Sequence, residues 1–338
     1  MSAARTDAIL RVESLRKEFP VRRLLRDLGR GASRASVRAV DGVSFDLGRG
    51  EILGLVGESG CGKTTTGRLV MRLLRPTAGT ILMDGNDVTG ITRAGETAYR
   101  RAVQMVFQDP YASLDPRYRI RDVLEEPLLI HHVGASRAER MRIVGQALER
   151  VKMTPVEEFM DRHPHMLSGG QRQRVAVARA LILSPRIVVA DEPVSMIDLS
   201  TRAEILHMMR GIQREMDLSL LYITHDISTA RYFADRIAVM YLGRIVEIGP
   251  ADEVIDHPRH PYTRALIDAV CEPEPGRVDR LRELSVRGEV PSAVDIPRGC
   301  RFHPRCVFAQ SACREPPEPE LEPVGPAQFA ACRRWKEI

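Results

Sequence analysis

The feature that most constrains the fold is a glycine-rich stretch between an apolar run and a helical pattern. Residues 57–64 read GESGCGKT and match the pattern G-x-x-x-x-G-K-[ST] without a gap. The match follows the apolar run 52–56 and opens a helical pattern from Thr64 to Leu74, which stops before Pro76. Glycines let backbone N–H groups turn inward around phosphate oxygens, and the helix presents its positive end there. The sequence therefore predicts a phosphate-binding strand–loop–helix unit.

Within this loop, the expected contacts follow from residue type. Lys63 is expected to reach the β- and γ-phosphates of a nucleoside triphosphate, and the Thr64 hydroxyl to bind Mg²⁺. Cys61 is expected to be a small loop residue whose neighbours, rather than its sulfur, contact phosphate. The residues expected to bind the nucleotide here are Gly57, Ser59, Gly60, Cys61, Gly62, Lys63, Thr64 and Thr65.

Short apolar runs alternate with longer amphipathic stretches along the chain. The stretches 51–56, 187–190 and 220–224 are almost wholly apolar and do not alternate with polar residues, as parallel strands covered on both faces require. Residues 236–248 predict an antiparallel hairpin that turns at Leu242-Gly243. Together with the phosphate loop, this order predicts an α/β fold of the P-loop NTPase type with an antiparallel β edge.

Polar side chains follow these apolar runs. Asp191 and Glu192 end one run, His225 ends another, and Gln108 follows an apolar stretch that includes Val106. The carboxyl ends of parallel strands meet at one sheet edge, where open α/β sheets bind ligands. Asp191 is expected to hold Mg²⁺ through water, and Glu192 to act as general base. An acidic helix cap is the alternative for this pair.

Two of these residues carry more than one interpretation. His225 is expected near the γ-phosphate, although a single histidine is more often structural. Gln108 can contact both Mg²⁺ and the attacking water, and spacing alone favours neither this role nor a structural one.

A second glycine motif lies at residues 167–171, which read LSGGQ. Ser168 can cap a helix whose first turn presents two glycine N–H groups, which makes a second anion-binding helix end. An ordinary capped helix is the alternative. The residues expected to bind an anion here are Ser168, Gly169, Gly170 and Gln171.

The LSGGQ motif beside the phosphate loop identifies the chain as a member of the ABC ATPases. The resemblance covers most of the chain and implies ATP as the nucleotide. It implies that Phe19 stacks on adenine, that Gln108 belongs to the Q-loop, and that Asp198 is the D-loop acid. Asp191-Glu192 resembles the Walker B end, and His225 the switch histidine.

The resemblance also implies how such ATPases work. Two ATPase domains pair head to tail, with ATP between the phosphate loop of one and the LSGGQ motif of the other. Ser168, Gly170 and Gln171 would then bind the partner's nucleotide. The implied partners are a second ATPase subunit, as a copy or a paralogue, and two transmembrane permease subunits.

Three further stretches resemble the importers of oligopeptides, dipeptides and nickel, especially the F-type oligopeptide subunit. They are 107–116 (FQDPYASLDP), 260–266 (HPYTRAL) and 301–306 (RFHPRC). Met196-Ile197 departs from the usual Ala-Leu, and Asp115 from a common Asn. The resemblance implies import of oligopeptides or dipeptides, delivered by an external solute-binding protein, at the cytoplasmic face of the membrane. Oligosaccharides and nickel remain alternative solutes.

The six cysteines are unevenly placed. Cys61 and Cys271 stand alone, whereas four in the tail have the spacing C-x5-C-x6-C-x18-C, which matches no compact zinc knuckle. Some members of the importer group carry a [4Fe–4S] cluster at such a tail, although Val307 replaces a proline common there. Zinc and reduced thiols are the alternatives. The candidate ligands are Cys300, Cys306, Cys313 and Cys332.

The amino-acid composition constrains the class of protein, and the density of proline indicates where the main domain ends. Apolar residues make up 43% and charged residues 28% of the 338 residues, and no apolar run approaches the roughly 18–20 residues of a membrane span. We expect an ABC ATPase domain over 1–260, with a helical subdomain at about 109–180, and an irregular Cys-rich module over 261–338. The Arg-rich stretch 21–38 is interpreted as an insertion, without an assigned role.

Two rival classes fit less well. ABC ATPases that act on DNA carry long insertions before the LSGGQ motif, and those that act on ribosomes carry two ATPase units per chain. This chain has neither, and the net charge of +5 is spread among acidic residues, so no nucleic-acid partner is expected. A GTPase-like switch would need an Asn-Lys-x-Asp motif, which is absent from the sequence.

Overall fold

The structure, a computed structural model, describes residues 7–21, 36–269 and 286–338. Most of the Arg-rich stretch and Cys271 lie outside the described residues. The described residues form two compact units: those within 1–46, 53–89 and 224–338 belong to the first, and those within 47–52 and 90–223 to the second.

The described residues form twelve strands and eleven α-helices. The strands are β1 (Ala8–Pro20), β2 (Ser36–Gly48), β3 (Ile52–Val56), β4 (Ala78–Met83), β5 (Asn86–Asp87), β6 (Val103–Val106), β7 (Ile187–Asp191), β8 (Ser219–Thr224), β9 (Arg236–Tyr241), β10 (Arg244–Pro250), β11 (Glu322–Pro323) and β12 (Phe329–Ala330). The helices are α1 (Lys63–Val70), α2 (Arg93–Ala102), α3 (Pro110–Ser113), α4 (Ile120–Ile130), α5 (Arg137–Arg150), α6 (Val156–Met160), α7 (Gly169–Leu181), α8 (Leu199–Glu215), α9 (Ile227–Phe233), α10 (Ala251–Asp256) and α11 (Pro261–Asp268).

In the first unit, β3 runs parallel to β9, and β9 pairs antiparallel with β10 across Leu242-Gly243. Strand β12 adds antiparallel to β10, and β11 adds to β12. A second sheet has the order β2-β1-β4-β5, with β4 antiparallel to both β1 and β5. The hairpin predicted over 236–248 is therefore confirmed. Its outer strand also receives a strand from the C-terminal tail.

In the second unit, β6, β7 and β8 are parallel neighbours. Every residue of β7 and β8 is buried, as is every residue of β3 in the first unit. The prediction of buried parallel strands from continuous apolar runs is thus confirmed. Between β6 and β7 the chain is helical from α3 to α7, apart from connecting loops and a 3₁₀ turn at Pro164–Met166.

The helix after the phosphate loop is shorter than the spacing predicts. Helix α1 ends at Val70 rather than near Leu74, and Arg72 has the left-handed φ of 56°. A left-handed residue cannot continue a right-handed helix. Pro76 is therefore not what ends α1. Among the described residues, no helix combines the length and apolar character needed to cross a membrane.

Candidate functional site

The phosphate loop of the first unit lies at the carboxyl end of β3. Close backbone packing requires two of its glycines: a Cβ on Gly57 would lie 2.2 Å from the Met240 carbonyl oxygen, and one on Gly62 would lie 2.1 Å from that of Ala39. Gly62 also has a φ of +111°, which disfavours a side chain. The loop is tied to the β9–β10 turn, because the Gly243 N–H donates to the Cys61 carbonyl at 2.8 Å.

Lys63 is buried and is directed back into the loop. Its Nζ donates to the carbonyl oxygens of Gly57 at 2.7 Å and Glu58 at 2.9 Å. Both hydrogen bonds hold the ammonium group at the loop. A bound phosphate would compete with these two carbonyl oxygens as the acceptor for Lys63. Ser59 and Gly60 are exposed, and Thr64 and Thr65 are half-buried.

The carboxyl edge of the second unit's sheet brings two predicted residues together. Gln108 follows β6 and Glu192 follows β7, and Gln108 Nε2 donates to Glu192 Oε2 at 2.9 Å. Glu192 has a φ of 46°, and its N–H donates to the Ile223 carbonyl on β8 at 2.8 Å. Asp191 is the last residue of β7 and is buried. Gln108 and Glu192 thus meet at this edge, whereas their roles toward Mg²⁺ and the attacking water stay predictions.

His225 directly follows β8 and is exposed. The next residue, Asp226, caps helix α9 by accepting hydrogen bonds from the N–H groups of Ser228 and Thr229. This cap fixes the chain immediately after His225. Phe19 lies near the end of β1, half-buried, with Lys17 Nζ 5.2 Å from its ring centroid.

The LSGGQ motif forms the predicted capped helix start. Ser168 Oγ accepts from the Gln171 N–H at 3.2 Å, and Gln171 Oε1 accepts from the Ser168 N–H at 3.0 Å, which is a capping box. The N–H groups of Gly169 and Gly170 belong to the first turn, which has no intrahelical acceptor for them. Gly169 has open space around it, whereas a Cβ on Gly170 would lie 2.4 Å from Thr201 Cγ2. The start of α7 thus packs on the start of α8.

Asp198 caps α8 and is fully exposed to solvent. Its Oδ1 accepts from the Thr201 N–H at 2.9 Å and from Ser200 Oγ at 2.7 Å. These hydrogen bonds, first that of the Thr201 backbone, lower the pKa of Asp198 to about 2. The carboxylate is therefore charged at any physiological pH, next to the helix end that carries the LSGGQ motif.

Comparisons with known proteins match both parts of the sequence. A model of the ABC transporter family matches residues 40–195, and a model of the oligopeptide/dipeptide transporter C-terminal region matches residues 246–313. The oligopeptide transport ATP-binding protein AppF of Bacillus subtilis is 44% identical over 99% of this chain and 100% of its own length. A putative peptide import ATP-binding protein of Brucella ovis is 45% identical over 89% of this chain and 93% of its own.

The chain belongs to the ABC transporter ATP-binding family. A solved structure of the ATP-binding cassette MJ0796, a dimer bound to ADP and Pi, is similar with a TM-score of 0.62. It is 28% identical to this ABC ATPase and covers 72% of this chain and 98% of its own. The α/β fold expected from the phosphate loop and the apolar runs is therefore confirmed as the ABC ATPase fold.

The helical segment of this ABC ATPase carries a groove of ≈ 920 Å³ within the second unit. Tyr111 and Tyr118 line it and are 60% and 54% exposed, and Leu129 is 50% exposed. Arg179 donates hydrogen bonds to the Ser113 carbonyl and the Glu126 carboxylate, both at 2.9 Å, and so links two segments that line the groove. The groove therefore combines hydrogen-bonded lining segments with exposed aromatic and aliphatic side chains.

The four tail cysteines line one cavity of ≈ 20 Å³ together with His260 and His303. Burial raises the pKa of Cys300 to about 11 and that of Cys332 to about 12, so these thiols are protonated at neutral pH unless a bound metal displaces the proton. Within residues 7–21, 36–269 and 286–338, no group of three or more His, Cys, Asp or Glu side chains is arranged to hold a metal ion. The thiols share a cavity, then, without forming a single-ion site.

The sequence did not predict that two residues of the C-terminal part of the chain would contact the phosphate loop. Tyr262 and Arg305 both contact Glu58, a variable position of the loop motif. A signal was present, because Tyr262 lies in the stretch 260–266 and Arg305 in 301–306, which carry the resemblance to peptide importers. Nothing in either stretch, however, indicates that its partner is the phosphate loop.

Proposed function

We propose that this chain is the ATP-hydrolysing subunit of an importer of oligopeptides or dipeptides. The observation that carries the proposal is full-length similarity to AppF of Bacillus subtilis, whose name states oligopeptide transport, together with the matched transporter C-terminal region. The proposal includes a second ATPase subunit, two permease subunits, an external solute-binding protein, and a position at the cytoplasmic face of the membrane.

The proposed chemistry assigns a role to each motif. The phosphate loop and Lys63 bind the triphosphate of ATP, and Thr64, Gln108 and Asp191 hold Mg²⁺. Glu192 polarises the attacking water, with its carboxylate oriented by the bond from Gln108. Phe19 stacks on adenine, and His225 stabilises charge on the γ-phosphate.

The LSGGQ helix start is proposed to bind the ATP of the partner subunit. Its position at a capped helix start supports this, because the N–H groups of Gly169 and Gly170 have no intrahelical acceptor and can bind an anion. Asp198, at the neighbouring helix start, is proposed to face the partner as the D-loop acid.

The proposed domains are an ABC ATPase domain over 1–260, with a helical subdomain at about 109–180, and a Cys-rich module over 261–338.

The groove at Tyr111, Tyr118 and Leu129 is proposed to receive a cytoplasmic helix of a permease subunit. Exposed aromatic side chains in a groove whose lining segments are linked by Arg179 are suited to a helix-in-groove contact. Closure of the ATPase pair would move this groove and with it the permease helices.

The assembled transporter tests the proposal. In membranes that contain the permease subunits, ATP hydrolysis should rise when peptide-loaded binding protein is added and should not rise with oligosaccharide or nickel. Lys63→Ala should abolish ATP binding, and Glu192→Gln should retain binding while lowering turnover by roughly 10²–10⁴-fold. Glu157→Gln, an exposed carboxylate on α6, is the matched control. Unchanged turnover in Glu192→Gln would refute the assigned chemistry.

For the tail, we propose a [4Fe–4S] cluster held by Cys300, Cys306, Cys313 and Cys332. Each cysteine of such a cluster binds a different iron, so four thiols around one cavity are a suitable donor set even where no single-ion site exists. Iron and acid-labile sulfide should be found after anaerobic purification, lost in Cys306→Ser and retained in Cys61→Ser. A preparation without either element would contradict the cluster.

A further inference from the structure

Glu58, the second residue of the phosphate loop, forms hydrogen bonds through its N–H, its carbonyl oxygen and its carboxylate. Its N–H donates to the Tyr262 hydroxyl oxygen at 2.8 Å, and its carbonyl accepts from Lys63 Nζ at 2.9 Å. Its carboxylate accepts two hydrogen bonds from the Arg305 guanidinium, at 2.7 and 2.9 Å. Two planar groups in this paired arrangement define orientation as well as distance.

The two contacts from the C-terminal side are made by buried groups. Tyr262 is 1% exposed, and the Arg305 side chain is 8% exposed, against 30% for Glu58. Burial raises the pKa of Tyr262 far above its usual range, and the hydrogen bonds to Glu58 raise that of Arg305. Both groups therefore keep one protonation state at physiological pH.

Packed rings fix the positions of these two side chains. Tyr262 lies 4.6 Å from Tyr241 and 5.4 Å from Phe302, ring centre to ring centre. The Arg305 guanidinium lies 5.9 Å from the ring centres of both Tyr241 and Phe302. Because the rings are buried and in mutual contact, neither side chain can move far without disturbing the others.

We propose that Tyr262 and Arg305 are positioning residues for nucleotide binding: they hold Glu58 so that the phosphate loop has its binding shape before ATP arrives. The inference rests on the proposed function, since it requires the loop to bind ATP. A loop that is already ordered loses less conformational freedom on binding. When the competent loop is only part of the population, the apparent Kd rises in proportion.

Arg305 also has an electrostatic role in this proposal. Glu58 is a carboxylate within a loop that must accept a triphosphate, and the two negative charges repel each other. The guanidinium offsets the charge of Glu58 at the point where it would oppose binding. Loss of Arg305 therefore acts twice, by releasing the loop and by exposing the carboxylate.

The test measures MgATP affinity of the purified full chain by calorimetry, with thermal unfolding in the absence of nucleotide as a separate readout. Arg305→Met is expected to raise the Kd roughly five- to tenfold, and Tyr262→Phe roughly threefold, because each removes hydrogen bonds to Glu58. Arg305→Lys should recover part of the affinity, since lysine keeps the positive charge but cannot form the paired hydrogen bonds that the guanidinium makes to the Glu58 carboxylate. Glu58→Gln combined with Arg305→Met should bind ATP better than Arg305→Met alone.

Arg334→Met is the matched control. Arg334 is likewise a guanidinium of the C-terminal tail that pairs with a carboxylate, but its partners are Glu337 and the Phe308 carbonyl instead of Glu58. Its loss should leave the Kd within about twofold. Glu337→Gln is the milder form of this control.

The outcomes separate the inference from the proposed function. If the wild-type chain fails to bind ATP, or Lys63→Ala binds it equally well, the proposed function fails. If the wild-type chain binds and Lys63→Ala does not, but Arg305→Met and Tyr262→Phe bind like the wild type, the positioning role is wrong. It is also wrong if Arg334→Met weakens binding as much as Arg305→Met. Tyr262→Phe removes a single oxygen, so it decides the question even if Arg305→Met does not fold.

Discussion

At the scale of single residues, His260 is a buried imidazole that serves as the N-terminal cap of α11. Its Nδ1 accepts a hydrogen bond from the Tyr262 N–H at 3.1 Å, so this nitrogen must be unprotonated in the native state. Burial lowers the pKa of His260 to about 3. The cap that starts the helix of Tyr262 therefore depends on a neutral histidine.

This lowered pKa predicts a loss of stability in acid. The ordinary pKa is 6.5, so below that pH the unfolded chain binds a proton that the folded chain refuses. The contribution of His260 is fully present above pH 6.5 and is lost as the pH falls toward about 3, by up to ~1.4 kcal/mol per pH unit. Urea unfolding at pH 7.5 and pH 5 measures this loss.

His260→Asn is the control, because asparagine can cap the helix without titrating in this range. It should be less stable than the wild type at pH 7.5 and should lose less stability between pH 7.5 and pH 5. Equal losses in both proteins would show that His260 is protonated in the folded state.

At the scale of elements, two helices that begin with a serine N-cap allow the effect of the cap on stability to be separated from its effect on ATP turnover. Ser168 caps α7 and Ser136 caps α5, and each hydroxyl accepts an N–H of the first turn, from Gln171 and Glu139. Both serines are exposed. Only α7 carries the motif that we propose for the partner's ATP.

Ser168→Ala and Ser136→Ala should therefore cost similar stability, about 1 kcal/mol, since each removes one N-cap. Only Ser168→Ala should also lower ATP turnover of the assembled transporter, because it removes a hydroxyl from the proposed nucleotide contact. Urea unfolding and turnover measured on the same preparations separate the two effects. Equal turnover in both variants would make the LSGGQ serine merely a cap.

The phosphate-loop helix and the strands differ in how far their patterns predict them. The continuous apolar runs predict β3, β7 and β8 to within a residue, because burial on both faces leaves a pattern in consecutive residues. Helical spacing through Leu74 predicts a longer α1 than the one present. Its end is decided at Arg72, whose left-handed backbone no apolar pattern reveals.

At the scale of the whole molecule, the C-terminal tail is part of the first unit's core. Phe302 is 1% exposed and packs on Tyr241, and β12 pairs with β10. Gln328 Nε2 donates to the buried Glu247 carboxylate at 2.8 Å, and that carboxylate also accepts the N–H groups of Arg259 and His260.

A chain that ends at residue 285 should therefore be much less stable than the full chain. It loses the Phe302 packing and Gln328, one of the hydrogen-bond donors to the buried Glu247 carboxylate. We expect a lower midpoint of thermal unfolding, or aggregation on purification. Gln328→Leu, which removes only the amide contact, should cost about 1–3 kcal/mol. A truncated chain with an unchanged midpoint would mean that 286–338 is an independent appendage.

The sequence by itself determines the features that depend on consecutive residues. The phosphate loop and the capped LSGGQ helix are such features, because loop conformation and helix capping are set within a few positions of the chain. The resemblance to peptide importers rests on similarly short stretches.

Only the tertiary structure decided what those stretches contact. Tyr262 and Arg305 lie 204 and 247 positions from Glu58, and Arg301 lies 260 positions from Asp41. A single sequence gives the residue types at both ends of such a pair but not the strand register and ring packing that bring them together. The hold on the phosphate loop is therefore a property of the folded chain, since it exists only when the C-terminal tail packs against β9 and β10.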